Sequence, residues 1–133
     1  MACRKLNILT VDDEAPVTCS IQYALGGPAW LLAAAGDGEE ALAQIQAQEP
    51  PFDLVITDNN MPRLNGLELV RRLREISFGG KIIVLSAHLS TEVQRAYRAL
   101  NVDRMIPKPF NVRELRNVVQ EVSSGEVAIE IDE

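Results

Sequence analysis

The stretch from Leu54 to Gly66 limits what this chain can fold into more than any other. It begins with a short apolar run, Leu54 to Ile56, which suits a strand buried on both faces, as in a parallel sheet. The run ends at Asp58, and Asn, Pro and Gly residues typical of a loop follow. Ligands of open α/β sheets bind beyond the carboxyl ends of the strands. On this stretch alone, Asp58 is equally well a reactive carboxylate at such an edge or an ordinary turn-forming acid.

Four further apolar segments alternate with helical patterns along the chain. The predicted strands are Leu6–Val11, Trp30–Ala34, Leu54–Asp58, Lys81–Leu85 and Arg104–Pro107. The first predicted helix has Pro16 in its first turn, the second follows Gly38 and the third begins near Gly66. The last two run from Thr91 to Ala99 and from about Val112 to Val122. Strict alternation of strands and helices predicts an α/β fold, a doubly wound five-stranded parallel sheet with helices on both faces.

The helix predicted after Gly66 has two distinct faces. Apolar residues recur at helical spacing on one of them: Leu69, Val70, Leu73 and Ile76. Three arginines, Arg71, Arg72 and Arg74, are predicted to face water on the other.

Length and composition indicate one ordinary globular domain. The chain has 133 residues, 47% hydrophobic and 24% charged. A net charge of −6 argues against direct binding of nucleic acid, which requires a basic surface. No apolar run reaches the ~20 residues of a membrane span, and we predict no signal peptide. Cys3 and Cys19 have no disulfide or metal-site spacing, so we expect a cytoplasmic protein with reduced thiols.

The last ten residues differ from the rest in composition. Acids are concentrated after Gly125, at Glu126, Glu130, Asp132 and Glu133. We therefore predict a folded domain over residues 1–123 and an acidic tail, or the start of a linker, over residues 124–133.

Polar residues stand at the ends of four predicted strands. They are Asp12 and Asp13, Asp58, Ser86, and Lys108 followed by Pro109. Each has an ordinary explanation by itself, such as a helix cap for Asp13 or a solvated charge for Lys108. Because the carboxyl ends of parallel strands lie on one edge, the side chains should converge, and together they favour a site.

Charge indicates the chemistry of this site. Three carboxylates within ~5 Å repel each other by roughly 3 kcal/mol per pair at an effective dielectric of 20, so a cation is required. All-oxygen ligands with open water positions suit Mg²⁺. Such a site can stabilise a transferring phosphoryl group, with Asp58 as the candidate nucleophile. Lys108 would neutralise one phosphate oxygen and Ser86 would donate to another.

The motifs resemble those of the response-regulator receiver domains of two-component signalling, the CheY-like family. They are Val11-Asp12-Asp13-Glu14, Asp58 with Met61-Pro62 and Gly66, Leu85-Ser86-Ala87, and Lys108-Pro109-Phe110. The resemblance extends from about Leu6 to Val122 and is highly specific. It implies the strand order 2-1-3-4-5.

The resemblance also implies roles for individual residues. Asp58 would accept a phosphoryl group from a sensor histidine kinase or a phosphotransfer protein. The implied Mg²⁺ ligands are Asp12, Asp13, Asp58 and the backbone carbonyl of Asn60, with Asp13 ranked above Asp12 as a direct ligand. The implied phosphate-binding and switch residues are Ser86, Ala87 and Lys108. The Lys108–Pro109 bond is expected to be cis, as the family uses it to aim the lysine.

Three features depart from the family pattern. Met105 occupies the switch position where the family usually has Tyr or Phe, which places the usual aromatic relay in doubt. Asn101-Val102 replaces a common Gly-Ala pair. Pro107 directly precedes Lys108, which is tolerable if the fifth strand is at the edge of the sheet.

Three functions fit these residues. The leading interpretation is a phosphorylation-operated switch that changes partner binding. The alternative is a Mg²⁺-dependent phosphohydrolase working through an aspartyl-phosphate, although the chain has no insertion large enough for a substrate-binding cap. A third is a receiver-shaped interaction domain without phosphorylation, which the complete acidic set disfavours.

The downstream target is not indicated by the sequence. The face made by the helix at Thr91–Ala99, the strand at Arg104–Pro107 and the last helix carries mixed charges. They are Arg95, Arg98, Arg113 and Arg116 opposite Asp103, Glu114 and Glu121. We expect it to form a weak, phosphorylation-promoted homodimer.

Overall fold

A five-stranded parallel sheet forms the centre of the computed structural model, which describes residues 6–14, 21, 30–48, 51–59, 64–86, 89–108 and 110–123. The strands are β1 (Leu6–Val11), β2 (Trp30–Ala35), β3 (Leu54–Asp58), β4 (Lys81–Ser86) and β5 (Arg104–Pro107). Their order is β2-β1-β3-β4-β5, with every pairing parallel. The predicted fold class and strand order are therefore confirmed, and only the ends of β2 and β4 differ, by one residue each.

Four helices are resolved within the described residues: α1 (Gly38–Ala47), α2 (Gly66–Glu75), α3 (Thr91–Ala99) and α4 (Val112–Ser123). Each begins after a residue whose side chain accepts a hydrogen bond from a backbone N–H in the first turn. These N-cap residues are Asp37, Asn65, Ser90 and Asn111. Of the helix predicted after Pro16, only Ile21 lies in the described part of the chain, where it is helical and buried.

Two apolar cores lie on opposite faces of the sheet, because successive strand residues point to opposite sides. Val55 on β3 packs into the core that includes residues of α1, α2 and α3. Its neighbours Leu54 and Ile56 pack into the second core, with Leu115 and Val119 of α4. Both faces of the central strand are thus covered by apolar side chains, and its charged residue, Asp58, stands at its end.

The end of α2 departs from the predicted amphipathic pattern. Arg71 and Arg72 are exposed as predicted. Arg74 is not simply solvated, since its guanidinium donates to the carbonyls of Leu100 at 2.7 Å and Asn101 at 2.9 Å. Ile76 was expected to face inward but is 41% exposed, because the helix ends at Glu75 and Ile76 turns away from the buried stripe.

The departures near β5 have local structural explanations. Asn101 follows α3 with φ 62°, in the left-handed region that Asn tolerates better than most residues. It can therefore end the helix at a position where the family commonly has Gly. β5 is the edge strand next to β4, so Pro107 needs no partner on its outer side.

Two acids of the predicted dimer face are engaged within the chain. Asp103 accepts a hydrogen bond from the backbone N–H of Ile82 at 2.8 Å. Glu121 pairs with Arg104 at 2.5 Å. The homodimer stays a prediction. The domain boundary at residue 123 also stays a prediction, because residues 124–133 lie outside the described part of the chain.

Gly66 is the glycine whose replacement should be most harmful to packing near the end of β3. A Cβ there would lie 2.5 Å from the backbone oxygen of Asp58 and 2.9 Å from Cα of Asn59. Backbone atoms cannot move aside cheaply, so Gly66→Ala should lower the free energy of unfolding by about 1–3 kcal/mol, despite the better helix propensity of alanine.

Urea denaturation measures this effect, and Gly79→Ala is the matched control. A Cβ at Gly79 meets no atom within 4 Å, so that variant should stay within about 0.5 kcal/mol of the parent. Equal stability of the two variants would contradict the proposed close approach.

Candidate functional site

The sheet brings the predicted site residues to one edge. Asp58 is the last residue of β3 and Ser86 the last of β4, while Asp12 follows β1 and Lys108 follows β5. Backbone hydrogen bonds continue past the strand ends and hold these positions. The Asp12 N–H donates to the carbonyl of Ala35 at 3.1 Å, and the Lys108 N–H donates to that of Ser86 at 2.7 Å. The predicted convergence is therefore seen in the structure.

Three carboxylates form a cluster at this edge. One oxygen from each of Asp12, Asp13 and Asp58 lies within 4.8 Å of the others. Asp12 and Asp58 are buried, whereas Asp13 is exposed to solvent. Two of the three carboxylates are thus shielded from bulk water, and the third is accessible to solvent.

Lys108 provides the positive charge that faces this cluster. Its Nζ lies 2.6 Å from Oδ1 of Asp58 and 3.6 Å from Oδ2 of Asp12. Burial on its own lowers the pKa of Lys108, but the hydrogen bond to Asp58 and the charges of Asp58 and Asp12 outweigh it, so the pKa is raised. The ammonium therefore stays charged, and one cation stands against three carboxylates.

Asp12 is the least satisfied member of the cluster. Its Oδ1 accepts the backbone N–H of Glu14 at 2.8 Å, but its Oδ2 is buried without a hydrogen-bond partner. Burial, followed by the charge of Asp58, raises the pKa of Asp12 against the opposing effects of the Glu14 N–H and Lys108. A buried carboxylate oxygen without a hydrogen-bond donor, in a residue that belongs to a cluster of three carboxylates, is the arrangement that an oxygen-preferring cation such as Mg²⁺ would satisfy.

The other predicted residues are placed unevenly. Ser86 is buried at the end of β4, and Met105 is half-buried on β5, where it packs against the core that contains Tyr97. Asn60, Ala87 and Pro109 lie outside the described residues, so the predicted metal-binding carbonyl, phosphate contact and cis bond are untested.

One contact beside Asp58 was not predicted from the sequence. Tyr97 on α3 is completely buried, and its hydroxyl donates a hydrogen bond to Oδ1 of Asn59, the residue that follows Asp58. The helical periodicity of α3 places Tyr97 on the inward face, which the sequence does indicate. Its contact with a loop 38 residues away depends on how α3 packs over the sheet.

The family model for the response regulator receiver domain matches residues 8–120. The response regulator MprA of Mycolicibacterium vanbaalenii is 38% identical over 110 residues, which are 83% of this chain and 47% of that protein. The probable transcriptional regulatory protein TcrX of Mycobacterium tuberculosis is 31% identical over 110 residues, which are 83% of this chain and 46% of that protein. The chain spans about half the length of these relatives.

Solved structures give the same picture. The chemotaxis response regulator CheY4 of Vibrio cholerae superposes with a TM-score of 0.81 and 30% identity, over 90% of this chain and 99% of that one. A CheY-like receiver domain protein of Methanospirillum hungatei superposes with a TM-score of 0.86 and 26% identity, over 94% of this chain and 98% of that one.

Among the described residues, no helix combines the length and apolar character needed to cross a membrane.

The surplus of negative charge should make Asp12→Asn more stable than the parent when divalent cations are absent. A raised pKa means that the Asp12 carboxylate destabilises the folded state above that pKa. The penalty fades as the pH falls towards the unfolded value of 3.8. The gain in the free energy of unfolding should be of the order of 1 kcal/mol at pH 7, and absent below pH ~3.8.

Urea denaturation in EDTA at several pH values checks this expectation. Asp13→Asn is the control within the same cluster, and its gain should be smaller because Asp13 is exposed. A loss of stability in Asp12→Asn at pH 7 would show that the attraction of Lys108 outweighs the repulsion.

Proposed function

The chain belongs to the response regulator receiver domain family, and from this premise we propose that it is a phosphorylation-operated switch whose phosphoryl acceptor is Asp58. One observation carries the proposal. A buried carboxylate at the end of the central strand lies 2.6 Å from a lysine ammonium and within 4.8 Å of two further acids. A receiver domain is a signalling switch and not a classical enzyme, so the phosphohydrolase alternative is not favoured.

The proposed reaction transfers a phosphoryl group from a phosphohistidine to Asp58. A carboxylate oxygen of Asp58 forms the new P–O bond as the P–N bond of the donor breaks, and the departing imidazole nitrogen takes up a proton. The product is an acyl phosphate. Lys108 already contacts Oδ1 of Asp58 and would pair with an oxygen of the incoming group, since the ammonium remains charged.

The donor set fits a magnesium ion. Asp12, Asp13 and Asp58 would hold it together with the backbone carbonyl of Asn60, and the buried Oδ2 of Asp12, which has no hydrogen-bond partner, would gain one in the cation. Bound there, Mg²⁺ would neutralise charge on the phosphoryl oxygens. The protein contributes the fixed positions of its carboxylates, which the strand ends hold before any ligand arrives.

The donor protein is proposed to be a sensor histidine kinase or a phosphotransfer protein, as membership of the family implies. The effect of phosphorylation would be exerted through changed contacts with a downstream protein. The relatives are about twice as long as this chain, so their whole-protein activities do not transfer to it directly.

Phosphorylation of Asp58 is tested with a small phosphodonor, acetyl phosphate, in the presence of Mg²⁺. Intact-mass measurement should show one added phosphoryl group on the parent and none on Asp58→Asn. Asp37→Asn is the matched control, because Asp37 is also a buried acid but caps α1, and asparagine caps a helix equally well. Equal labelling of all three proteins would show that Asp58 is not the phosphoryl acceptor. Labelling that persists in EDTA would show that no divalent cation is required.

Ser86 is proposed to bind a phosphoryl oxygen and so draw its loop towards the site, whereas Met105 is proposed to contribute little. Moving a switch from 1:99 to 99:1 requires about 5.5 kcal/mol of preference between its two states. A flexible thioether contributes less to this preference than an aromatic ring with two defined positions, because the thioether packs equally well in several positions.

Ser86→Ala should therefore weaken the response strongly and Met105→Ala only slightly. Hydrogen exchange across α3 and β5, with and without beryllofluoride as a phosphoryl mimic, measures both. If Met105→Ala abolishes the response as fully as Ser86→Ala does, Met105 is itself a relay and this account is wrong.

A further inference from the structure

The backbone N–H and the backbone carbonyl of Asn59 both form hydrogen bonds with neighbouring elements. Its N–H donates to the carbonyl of Leu85 on β4 at 3.1 Å, and its carbonyl accepts the N–H of Gly66 at the start of α2 at 3.0 Å. The residue directly after Asp58 is therefore tied to the neighbouring strand and the following helix.

The side chain of Asn59 extends this connection to a third element. Its Oδ1 accepts the hydrogen bond from the Tyr97 hydroxyl on α3. The same hydroxyl packs against the start of α2, since a Cβ added to Gly66 would lie 2.8 Å from it. Asn59 thus joins the strand that ends in Asp58 to α3 by a polar contact, and Tyr97 itself belongs to the apolar core on this face of the sheet.

The Tyr97 hydroxyl depends on this contact. Tyr97 is 0% exposed, so water does not replace a lost partner, and a buried hydroxyl without an acceptor is costly. Burial, followed by the charge of Asp58, raises the pKa of Tyr97, so the phenol keeps its proton and acts as the donor at neutral pH. The position of α3 is therefore linked to the position of the Asn59 amide.

The C-terminal end of α3 is held separately, by hydrogen bonds from α2. Arg74 of α2 holds the carbonyls of Leu100 and Asn101, which follow the helix. Tyr97 lies one turn before this anchored end. A change at the Asn59–Tyr97 contact can therefore tilt α3 about its C-terminal end without releasing it from the domain.

We propose that Tyr97 is the positioning residue through which α3 senses the state of Asp58, with the Asn59 side chain as the link. A phosphoryl group on Asp58 adds about one negative charge and new acceptor oxygens next to Asn59. The Asn59 backbone is fixed, so its side chain responds, and the buried hydroxyl follows its acceptor. The inference rests on the proposed phosphorylation of Asp58 and names the residue that transmits it.

The test removes one atom. Tyr97→Phe keeps the ring in the core and deletes the hydroxyl, and Tyr23→Phe removes the same atom from the only other tyrosine in the sequence. Hydrogen exchange of residues 91–99 is measured in Mg²⁺ with and without beryllofluoride, and binding of the mimic is followed separately by ¹⁹F NMR.

We expect the parent and Tyr23→Phe to bind the mimic and to change exchange across α3. Tyr97→Phe should also bind the mimic, because the carboxylates and Lys108 are untouched, but most of the change in α3 should be lost. Asn59→Ala, at the other end of the bond, should give the same loss, and the double variant should lose no more than either single one.

The outcomes separate the two proposals. If the parent does not bind the mimic, phosphorylation of Asp58 fails as the proposed function. If the parent binds it and Tyr97→Phe keeps the full α3 response, even with lower stability, Tyr97 only fills the core and the inference is overturned. Should Tyr97→Phe not fold, as judged by circular dichroism, Asn59→Ala decides in the same way.

Discussion

The parallel pairing of β3 with β1 and β4 is the constraint on which this molecule depends. All five residues of β3 are buried, and both faces of the strand are covered by apolar cores. A strand in this position has no room for charge along its length, so Asp58 is placed at its end. Because the other strands run in the same direction, Asp12, Ser86 and Lys108 meet it at the same edge.

The electrostatics of that edge are unbalanced in a way that suits binding better than stability. Three carboxylates face one ammonium, and a buried oxygen of Asp12 has no hydrogen-bond donor. Natural proteins depart from full polar satisfaction chiefly where function requires it. The sheet holds these carboxylates close together, and a bound cation would relieve their repulsion.

The turn after β3 is the route by which we propose that a change at Asp58 is transmitted to α3. Asn59 contacts β4, the start of α2 and, through Tyr97, α3. Gly66 allows the start of α2 to lie this close to the end of β3, because any side chain at Gly66 would collide with the backbone of Asp58 and Asn59. The phosphoryl acceptor proposed here is therefore adjacent in sequence to a residue that contacts three other elements.

The sequence by itself determined the fold class and the acidic set at the strand ends, because apolar periodicity and abrupt polar stops are local properties of the chain. It also indicated Asp58 and Lys108, although these residues are 50 positions apart, since parallel strand ends must share one edge. It did not reveal that Tyr97 would meet Asn59, that Arg74 would bind the end of α3, or that Ile76 would be exposed. Those features were decided only by the tertiary structure, because they depend on where each helix ends and how it lies across the sheet, and no local pattern encodes the distance between two packed elements.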